Sequence, residues 1–495
     1  TLGWENGYWY NESIEVDQSD GVSKSERKAL IARTMARVEK IRQLEFESTV
    51  PVSVQSRSEL RQRVGNSSTS EALRVFDNTK FEAMFLINES ADSLAVQDAN
   101  RGSSILGYYS PSQDQIVLVA PNESAVRLDE ITLAHELVHA LQDQQFNLTS
   151  EKFRGETRDE VNAIDGVVEG DASYVEYLYD QRCKAGGSWN GTCKKPEAGA
   201  GSSSGSLANL GVYFLKFHPY SDGQSFVASI YERGGWAAVN DLYSNLPGST
   251  EQVIEPSTYP GEQSANLSFQ DKNADEWERV RPPGRPDYAS IGQPGIASMI
   301  VYPLYHSQGQ TQIVDPRTWL NYTDAGEISG ADPLNYNFPA AEGSNGDRMH
   351  IYTNADNETA YVWRIGWEST EDVNEFLEAY RSVLNYWGAE QVGPNTYEIA
   401  DGGFADAFHV IVEGNTVTIV NAPTVEGLSD VYGPVNVGSQ STATPTATES
   451  GRTASPTATP GSTTGATTVT SRSARRGRRP AARAGWSRRS SSLSD

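Results

Sequence analysis

The sequence lacks the long apolar runs that a membrane-spanning helix requires. No stretch of about 18 consecutive apolar side chains occurs in its 495 residues, so we expect no part of this chain to cross a bilayer. Its 37% hydrophobic and 9% aromatic residues are sufficient for globular folding. A chain of this length can hold two or three domains, each with its own core.

Cysteine is also nearly absent, since the chain contains only Cys183 and Cys193. The nine residues between them, KAGGSWNGT, are rich in glycine and suit a small closed loop. A metal site built on cysteine would need further ligands close by in the sequence, and none are present. The pattern therefore favours a disulfide between Cys183 and Cys193, with two free thiols as the alternative.

Lysine is scarce, with 10 of the 40 basic residues, and the formal net charge is −25. Because the last 25 residues carry +7, residues 1–470 carry −32. Phosphate binding needs clustered positive charge, which excludes nonspecific nucleic-acid binding by the folded part. High acidity with little lysine is typical of proteins from extreme halophiles, and an ordinary acidic secreted protein is the alternative.

Several features predict a location outside the cell. The chain begins at Thr1 without methionine, as we expect after removal of a secretory signal. N-glycosylation acceptors of the form Asn-x-Ser/Thr occur at Asn11, Asn66, Asn88, Asn122, Asn147, Asn190, Asn266, Asn321 and Asn357. This density of acceptors, together with the predicted disulfide, indicates a secreted or cell-surface glycoprotein.

Composition and periodicity divide the chain into four segments. Residues 1–284 are dominated by helical patterns, and residues 285–437 combine strand-like runs with one helix, which predicts a main domain and an α+β accessory domain. The Thr/Pro-rich residues 438–470 cannot bury a core and predict an extended stalk.

The basic segment 471–495 is predicted to be disordered, and it has two interpretations. A tail that binds anionic lipid or polymer is one. We favour the other, a frameshifted translation of a membrane anchor, because the composition breaks with everything before it. Contact with a membrane would then come only from an anchor that is not present in this chain.

The stretch ITLAHELVHALQDQQF, residues 131–146, carries most of the chemical information. Its apolar residues recur at helical spacing, which places His135 and His139 on one face with roughly 6 Å between their Cβ atoms. Two such imidazoles can hold one zinc ion, and Glu136 beside them can take a proton from water. A polar stripe on an amphipathic helix is the alternative.

A catalytic zinc needs a third protein ligand. The metzincin pattern would require glycine at position 142 and histidine at position 145, but the chain has Gln142 and Gln145. The next candidate is Glu169 in AIDGVVEGDASYVEY, with 29 residues between it and His139. Its rivals on the same predicted helix are Asp165, Asp171 and Glu176.

HELVHALQDQ followed by VVEGDAS resembles the gluzincins, zinc peptidases whose third ligand is a glutamate on the helix after the HExxH helix. The resemblance implies a mainly helical zincin-like domain with a small edge sheet, and zinc held by His135, His139 and Glu169, with Glu136 as the general base. The strand QIVLV (115–119) resembles the edge strand along which such peptidases bind an extended peptide. The small residues Gly166, Gly170 and Ala172 would let the second helix approach the metal helix closely.

Other roles are less constrained by the sequence. Asp143 and Asp165 are the candidates to orient the ligands, with ordinary surface acids as the alternative. Gluzincins usually stabilise the oxyanion with a tyrosine or histidine. Tyr220, His218 and Tyr231 lie in the corresponding region; we place Tyr220 first, although no motif fixes the choice.

GDRMHIY, YVWRIGW and VTIVNAP resemble the C-terminal module of haloarchaeal surface proteins with this core, so the resemblance covers residues 1–437. We therefore predict a cell-surface zinc metallopeptidase acting on a peptide or protein substrate. The alternative is a non-catalytic structural or binding protein that retains a zincin fold. Its support is the unassigned oxyanion donor, the large second module and the density of glycan acceptors.

Overall fold

A computed structural model describes residues 1–64, 69–104, 107–122, 126–184, 187–190, 193–196 and 207–436. In this part the chain is mixed α+β, which confirms the predicted class, and its strands include a large antiparallel sheet. Asn66, the stalk at 438–470 and the tail at 471–495 lie outside the described residues.

Twelve helices occur in the described ranges. They are α1 (Lys24–Arg42), α2 (Arg57–Val64), α3 (Glu71–Ala83), α4 (Ser93–Ser104), α5 (Glu130–Phe146), α6 (Arg158–Cys183), α7 (Leu210–Leu242), α8 (Thr250–Ile254), α9 (Gln293–His306), α10 (Pro316–Trp319), α11 (Thr370–Tyr386) and α12 (Leu428–Val431). The first eight belong to the segment where the sequence predicts a mainly helical domain.

Twelve strands of the described part form three sheets. They are β1 (Trp4–Glu5), β2 (Tyr8–Trp9), β3 (Val52–Gln55), β4 (Gly107–Ser110), β5 (Gln115–Val119), β6 (Glu278–Arg279), β7 (Ser344–Thr353), β8 (Thr359–Trp367), β9 (Glu390–Gly393), β10 (Thr396–Glu398), β11 (Ala407–Glu413) and β12 (Thr416–Ala422). The strand orders are β1-β2, β3-β5-β4 and β6-β7-β8-β12-β11-β10-β9.

The three-stranded sheet corrects one expectation. QIVLV is β5, and it lies in the centre of the sheet, parallel to β3 and antiparallel to β4. Its side chains Ile116, Val117 and Leu118 are buried on both faces, as expected for an inner strand. The edge strand nearest to α5 is therefore β4, which precedes β5 in the chain.

Buried ion pairs fix α1 behind α5 and α6. Arg33 and Arg37 both donate to the carboxylate of Glu130 at 2.7–2.9 Å, and Arg42 donates to Asp171 at 3.0 Å. All five side chains are buried. A buried charge without its partner is strongly unfavourable, so these pairs fix the relative positions of the three helices.

The loop after α6 is attached to the same buried acid. Cys183 and Cys193 form a disulfide with 5.5 Å between their Cα atoms. The backbone N–H of Lys194 donates to Glu130 at 2.6 Å, and the carbonyl of Asn190 accepts from Arg37 at 3.2 Å. The described parts of the loop thus close over the start of α5.

The close approach of α6 to α7 depends on two glycines. A Cβ at Gly170 would lie 2.3 Å from the carbonyl oxygen of Gly223, and a Cβ at Gly223 would lie 2.6 Å from that of Gly166. Gly170 therefore serves the contact with α7, and a Cβ at Gly166 would lie 2.9 Å from Val253 of α8, so these two glycines do not serve the contact with α5 that the sequence suggested. Ala172 is also buried in the helical core.

The seven-stranded sheet forms the core of the C-terminal half. One of its faces carries Val362 and Val420, which pack with α12 and with Trp277. β6 pairs with β7 although it precedes the predicted domain boundary at 284. The division into domains at that residue stays a prediction.

Two buried carboxyl groups meet where α3 packs against this sheet. Glu82 and Asp406 are 8% and 5% exposed, and Asp406 accepts a hydrogen bond from Asn421 at 2.8 Å. Burial raises the pKa of both groups, to about 8 for Asp406, and the charge of Asp406 further raises the pKa of Glu82. The folded protein therefore holds more protons here than the unfolded chain does.

Asp406→Asn is expected to stabilise the protein at pH 8 more than at pH 5. The pKa of Asp406 is near 4 in the unfolded chain and near 8 in the folded protein, so the free energy of unfolding falls as the pH rises between these two values. Asparagine does not titrate and therefore removes this loss. We expect a gain on the order of 1 kcal/mol at pH 8, measured by thermal unfolding. The exposed Asp401→Asn is the matched control. A larger destabilisation at pH 8 than at pH 5 would mean that the charged form is the stable one.

Candidate metal centre

The helix α5 begins and ends with clear signals in the sequence. The side chain of Asp129 caps its first turn by accepting from the N–H groups of Ile131 and Thr132, and Asn147 ends it in the left-handed conformation with φ of 55°. Leu133, Leu137 and Leu141 face the core. This arrangement leaves His135 and His139 on one inner face, 5% and 1% exposed.

Three ligand atoms meet between α5 and α6. The Nε2 atoms of His135 and His139 are 3.1 Å apart, and Oε2 of Glu169 lies 3.2 Å from each of them. Tetrahedral ligands at about 2.0–2.1 Å from one zinc ion would be roughly 3.3 Å apart. The three atoms are therefore spaced as ligands of one metal ion would be.

The hydrogen bonds on the far side of each ring fix its tautomer. Gln142 donates through Nε2 to the carbonyl of Val168 at 2.9 Å, so its Oε1, 2.9 Å from Nδ1 of His139, must accept from that nitrogen. Nδ1 of His135 lies 3.0 Å from a carboxylate oxygen of Glu176, which can only accept when ionised. When the two rings are neutral, both Nε2 lone pairs therefore point into the centre, which is the form that binds a metal.

The third ligand is held by α7. Tyr220 donates from its hydroxyl to Oε1 of Glu169 at 2.9 Å, which leaves Oε2 directed at the two histidines. Burial raises the pKa of Glu169, but the charges of the histidines and their hydrogen bonds outweigh it and lower the pKa to about 2. Burial lowers the pKa of His135, but its bonds to Glu169 and Glu176 outweigh this and raise it to about 10.

Glu136 lies beside the three ligands and is also buried. Its Oε2 accepts from the backbone N–H of Tyr109 in β4 at 2.8 Å, while Oε1 accepts no hydrogen bond from a described residue. Burial is the main cause that raises the pKa of Glu136. A carboxylate with a raised pKa, fixed at one oxygen, is suited to take up a proton at the other.

Asp143 and Asp165 do not orient the predicted ligands in the way the sequence suggested. Asp143 contacts neither histidine: it accepts from the hydroxyl of Tyr109 and from the N–H of Leu148, both at 2.8 Å, because its side chain points towards β4 and the end of α5. Gln142 takes the predicted position instead. Asp165 makes no hydrogen bond to Glu169, whose other oxygen is occupied by Tyr220, and it affects Glu169 only through charge. Burial and that charge raise the pKa of Asp165 to about 7.

The rival residues are placed elsewhere. Asp171 is paired with Arg42 and accepts from Tyr243 at 2.7 Å. His218 is buried against Tyr336, and burial lowers its pKa to about 3. Tyr231 packs against Tyr174 and Trp236 in an aromatic cluster. None of the contacts given for these three residues is with His135, His139 or Glu169.

The roles of Gln142, Glu176 and Tyr109 were not predicted from the sequence. The spacing could have indicated two of them: Gln142 is three residues after His139, and Glu176 is seven residues after Glu169, so each lies on the same helix face as the ligand. No sequence signal links Tyr109 to Glu136, because β4 reaches the helix only through the fold.

Two other clusters of potential metal ligands occur in the described part of the chain, and both consist of carboxylates alone. They are Glu82 with Glu89 and Asp406, and Glu251 with Glu262 and Glu368. The centre at His135 combines histidines with a carboxylate and is fully buried.

Of the asparagine acceptors for N-glycosylation that the structure describes, none is buried.

Comparison with known proteins gives one partial match. Residues 278–432 match a family described as a domain of unknown function (DUF8575). No curated protein and no solved structure matches the chain. The matched region contains the seven-stranded sheet and leaves out the helices of the candidate metal centre. In the described residues we also find no helix with the length and apolarity to cross a membrane.

Gly170→Ala is expected to disturb this centre through the fold. Alanine in place of glycine inside a helix ordinarily stabilises it by about 1 kcal/mol. Here the new Cβ would meet the Gly223 backbone and separate α6 from α7, so we expect a loss of about 1–3 kcal/mol in thermal unfolding. Gly261→Ala, where the space is open, is the control. Equal stability of the two variants would show that α6 and α7 can separate without cost.

Proposed function

We propose that this protein is a zinc-dependent peptidase of gluzincin type with a zincin-like main domain, acting outside the cell. The observation that carries the proposal is the meeting of three buried ligand atoms within 3.2 Å of one another, with Glu136 beside them. Buried lone-pair atoms this close repel one another unless a cation, or a proton in its place, lies between them.

The donor set fits zinc. Two imidazole nitrogens and one carboxylate oxygen are ligands that zinc accepts, and three protein ligands is the number at catalytic sites, which keep one position for water or substrate. Each ring has an acceptor behind its Nδ1 atom, Glu176 for His135 and Gln142 for His139. Partners of this kind orient metal-binding histidines and strengthen them as ligands.

When bound, zinc would polarise a carbonyl oxygen and lower the pKa of water. The residues of this chain would do the rest. Glu136 would accept the water proton at Oε1 and pass it to the leaving nitrogen, while the Tyr109 N–H keeps its other oxygen fixed. Tyr220 would keep Glu169 in place as a ligand. Its role in oxyanion stabilisation stays a proposal.

The strand β4 would position the substrate. In an antiparallel ladder the backbone groups point alternately towards and away from the partner strand. The N–H of Tyr109 points away from β5, since it reaches Glu136, and the groups of Gly107 on the same side share that direction. An extended peptide can pair with this edge and so lie beside the three ligand atoms.

A zinc measurement tests the metal site. The wild-type protein is expected to bind one zinc ion per chain in high salt, and Glu169→Ala is expected to lose it, because a buried ligand atom is removed. Asp180→Ala, on the exposed side of the same helix, is the control and should keep the metal. Absence of zinc from the wild type would overturn the proposal.

A cleavage assay on a mixed peptide library separates the enzyme from the alternative. Glu136→Gln should keep the zinc but lower kcat at least about 100-fold, since general bases contribute that much or more. Zinc binding without cleavage by the wild type would favour a non-catalytic surface protein. The engagement of Tyr220 by Glu169, which leaves no assigned oxyanion donor, is the observation on the side of that alternative.

Gln142→Leu is expected to weaken zinc binding roughly 10- to 100-fold while leaving one zinc per chain at saturation. Leucine cannot accept from Nδ1 of His139, so the ring loses the bond that fixes its tautomer. Gln145→Leu, on the outer side of α5 where the side chain contacts Glu45, is the control. Competition with a chelator of known affinity measures the change. An unchanged dissociation constant would remove Gln142 from the metal site.

A further inference from the structure

A second concave site lies on the seven-stranded sheet and shares no residue with the proposed metal centre. It is a cavity of about 460 Å³ formed by β8, β11 and β12 with the chain before β6, the turn before β10 and the chain after α12. This volume is within the usual range for small-molecule sites, about 300–1,000 Å³. Its polar lining includes Lys272, Arg364, His409, Glu413, Thr418 and Tyr432.

The register of the sheet places Arg364, Thr418 and His409 on one face. Arg364 of β8 is opposite Thr418 of β12, which in turn is opposite Ile411 of β11. His409 lies two residues before Ile411 and so points the same way. Its Nδ1 atom is 2.8 Å from Oγ1 of Thr396, which fixes the ring.

Two cations are held over aromatic rings at this cavity. The guanidinium carbon of Arg364 is 4.6 Å from the ring centre of Phe269, and Nζ of Lys272 is 5.3 Å from that of Tyr432. The hydroxyl of Tyr432 lies 3.5 Å from Nη2 of Arg364, so one tyrosine connects both cations. Such rings hold the cations in place without neutralising them.

Neither cation has an acidic partner in the part of the chain that the structure describes. No carboxylate oxygen there lies within 4.0 Å of Lys272 or Arg364, although acidic residues outnumber basic ones by 65 to 40. Asp271, next in sequence to Lys272, is occupied by Arg279, His350 and Tyr352 at 2.6–2.8 Å. Two cations left unpaired at one cavity of so acidic a chain point to an anionic ligand.

We propose that this cavity binds a small ligand with one singly charged oxyanion group, a carboxylate or a sulfate ester, held between Lys272 and Arg364. Glu413 at the rim reduces the charge of the lining to +1, which favours a single negative charge over a phosphate dianion. Burial lowers the pKa of His409, so its ring is neutral and, with Thr418, can hydrogen-bond the uncharged part of the ligand.

Titration calorimetry on the full chain tests the proposal with three probes. They are D-galacturonate, D-galactose 6-sulfate and, as the uncharged counterpart, D-galactose. We expect saturable binding of at least one anion and at least about tenfold weaker binding of galactose, because hydrogen bonds to a charged group contribute about that much. The anion that binds more tightly shows whether the charged group of the ligand is a carboxylate or a sulfate ester. Equal binding of the anions and galactose, or no binding of either anion, would overturn the proposal.

Two variants locate the ligand. Lys272→Gln, at an exposed position that folding tolerates, and Arg364→Gln should each weaken binding of the anion about tenfold or more. Arg348→Gln is the matched control, since Arg348 is paired with Arg364 across the strands but stacks on Tyr288 outside the cavity. Affinity that falls equally in the control, or that survives in Lys272→Gln, would place any bound anion elsewhere.

Discussion

The convergence of three buried lone-pair atoms is the constraint on which the centre of this molecule depends. His135, His139 and Glu169 lie within 3.2 Å of one another and away from water, a geometry that is stable only when positive charge lies among them. The surrounding hydrogen bonds that Glu176 and Gln142 accept and Tyr220 donates do not reduce this requirement. They fix the orientation of the three side chains, because each bond prevents its side chain from turning towards another partner.

The packing of the surrounding helices also depends on the position of these three side chains. Glu169 is reached by α5 on one side and by Tyr220 of α7 on the other, and α7 can come that close only because Gly170 and Gly223 meet backbone to backbone. Behind α5, the carboxylate of Glu130 pairs with two arginines of α1. The helix α5 is therefore held by contacts with α1 and α6 whose loss would leave an unpaired charge in the core.

The sequence predicted the parts of the centre that follow from one helix, and it failed where two elements meet. His135, Glu136 and His139 follow from helical spacing alone, and the α+β class follows from the change of periodicity near 285. Asp143 illustrates the failure, because position i+4 on a helix gives the side chain a face but not a partner. In the fold β4 passes close by and its Tyr109 takes that carboxylate. The central place of β5 was unpredictable for the same reason: β3, which makes it central, is 60 residues earlier in the chain.

The distribution of charge separates the interior from the surface. At about 1 M salt the interaction between exposed charges is screened within about 3 Å, whereas buried pairs are screened far less. The large negative charge of residues 1–470 acts mainly at the surface, so strong salt weakens its field. The pairs of Arg33, Arg37 and Arg42 with their acids are buried and keep their strength. It follows that salt can change how the surface of this protein interacts with charged molecules without changing how α1, α5 and α6 hold His135, His139 and Glu169 together.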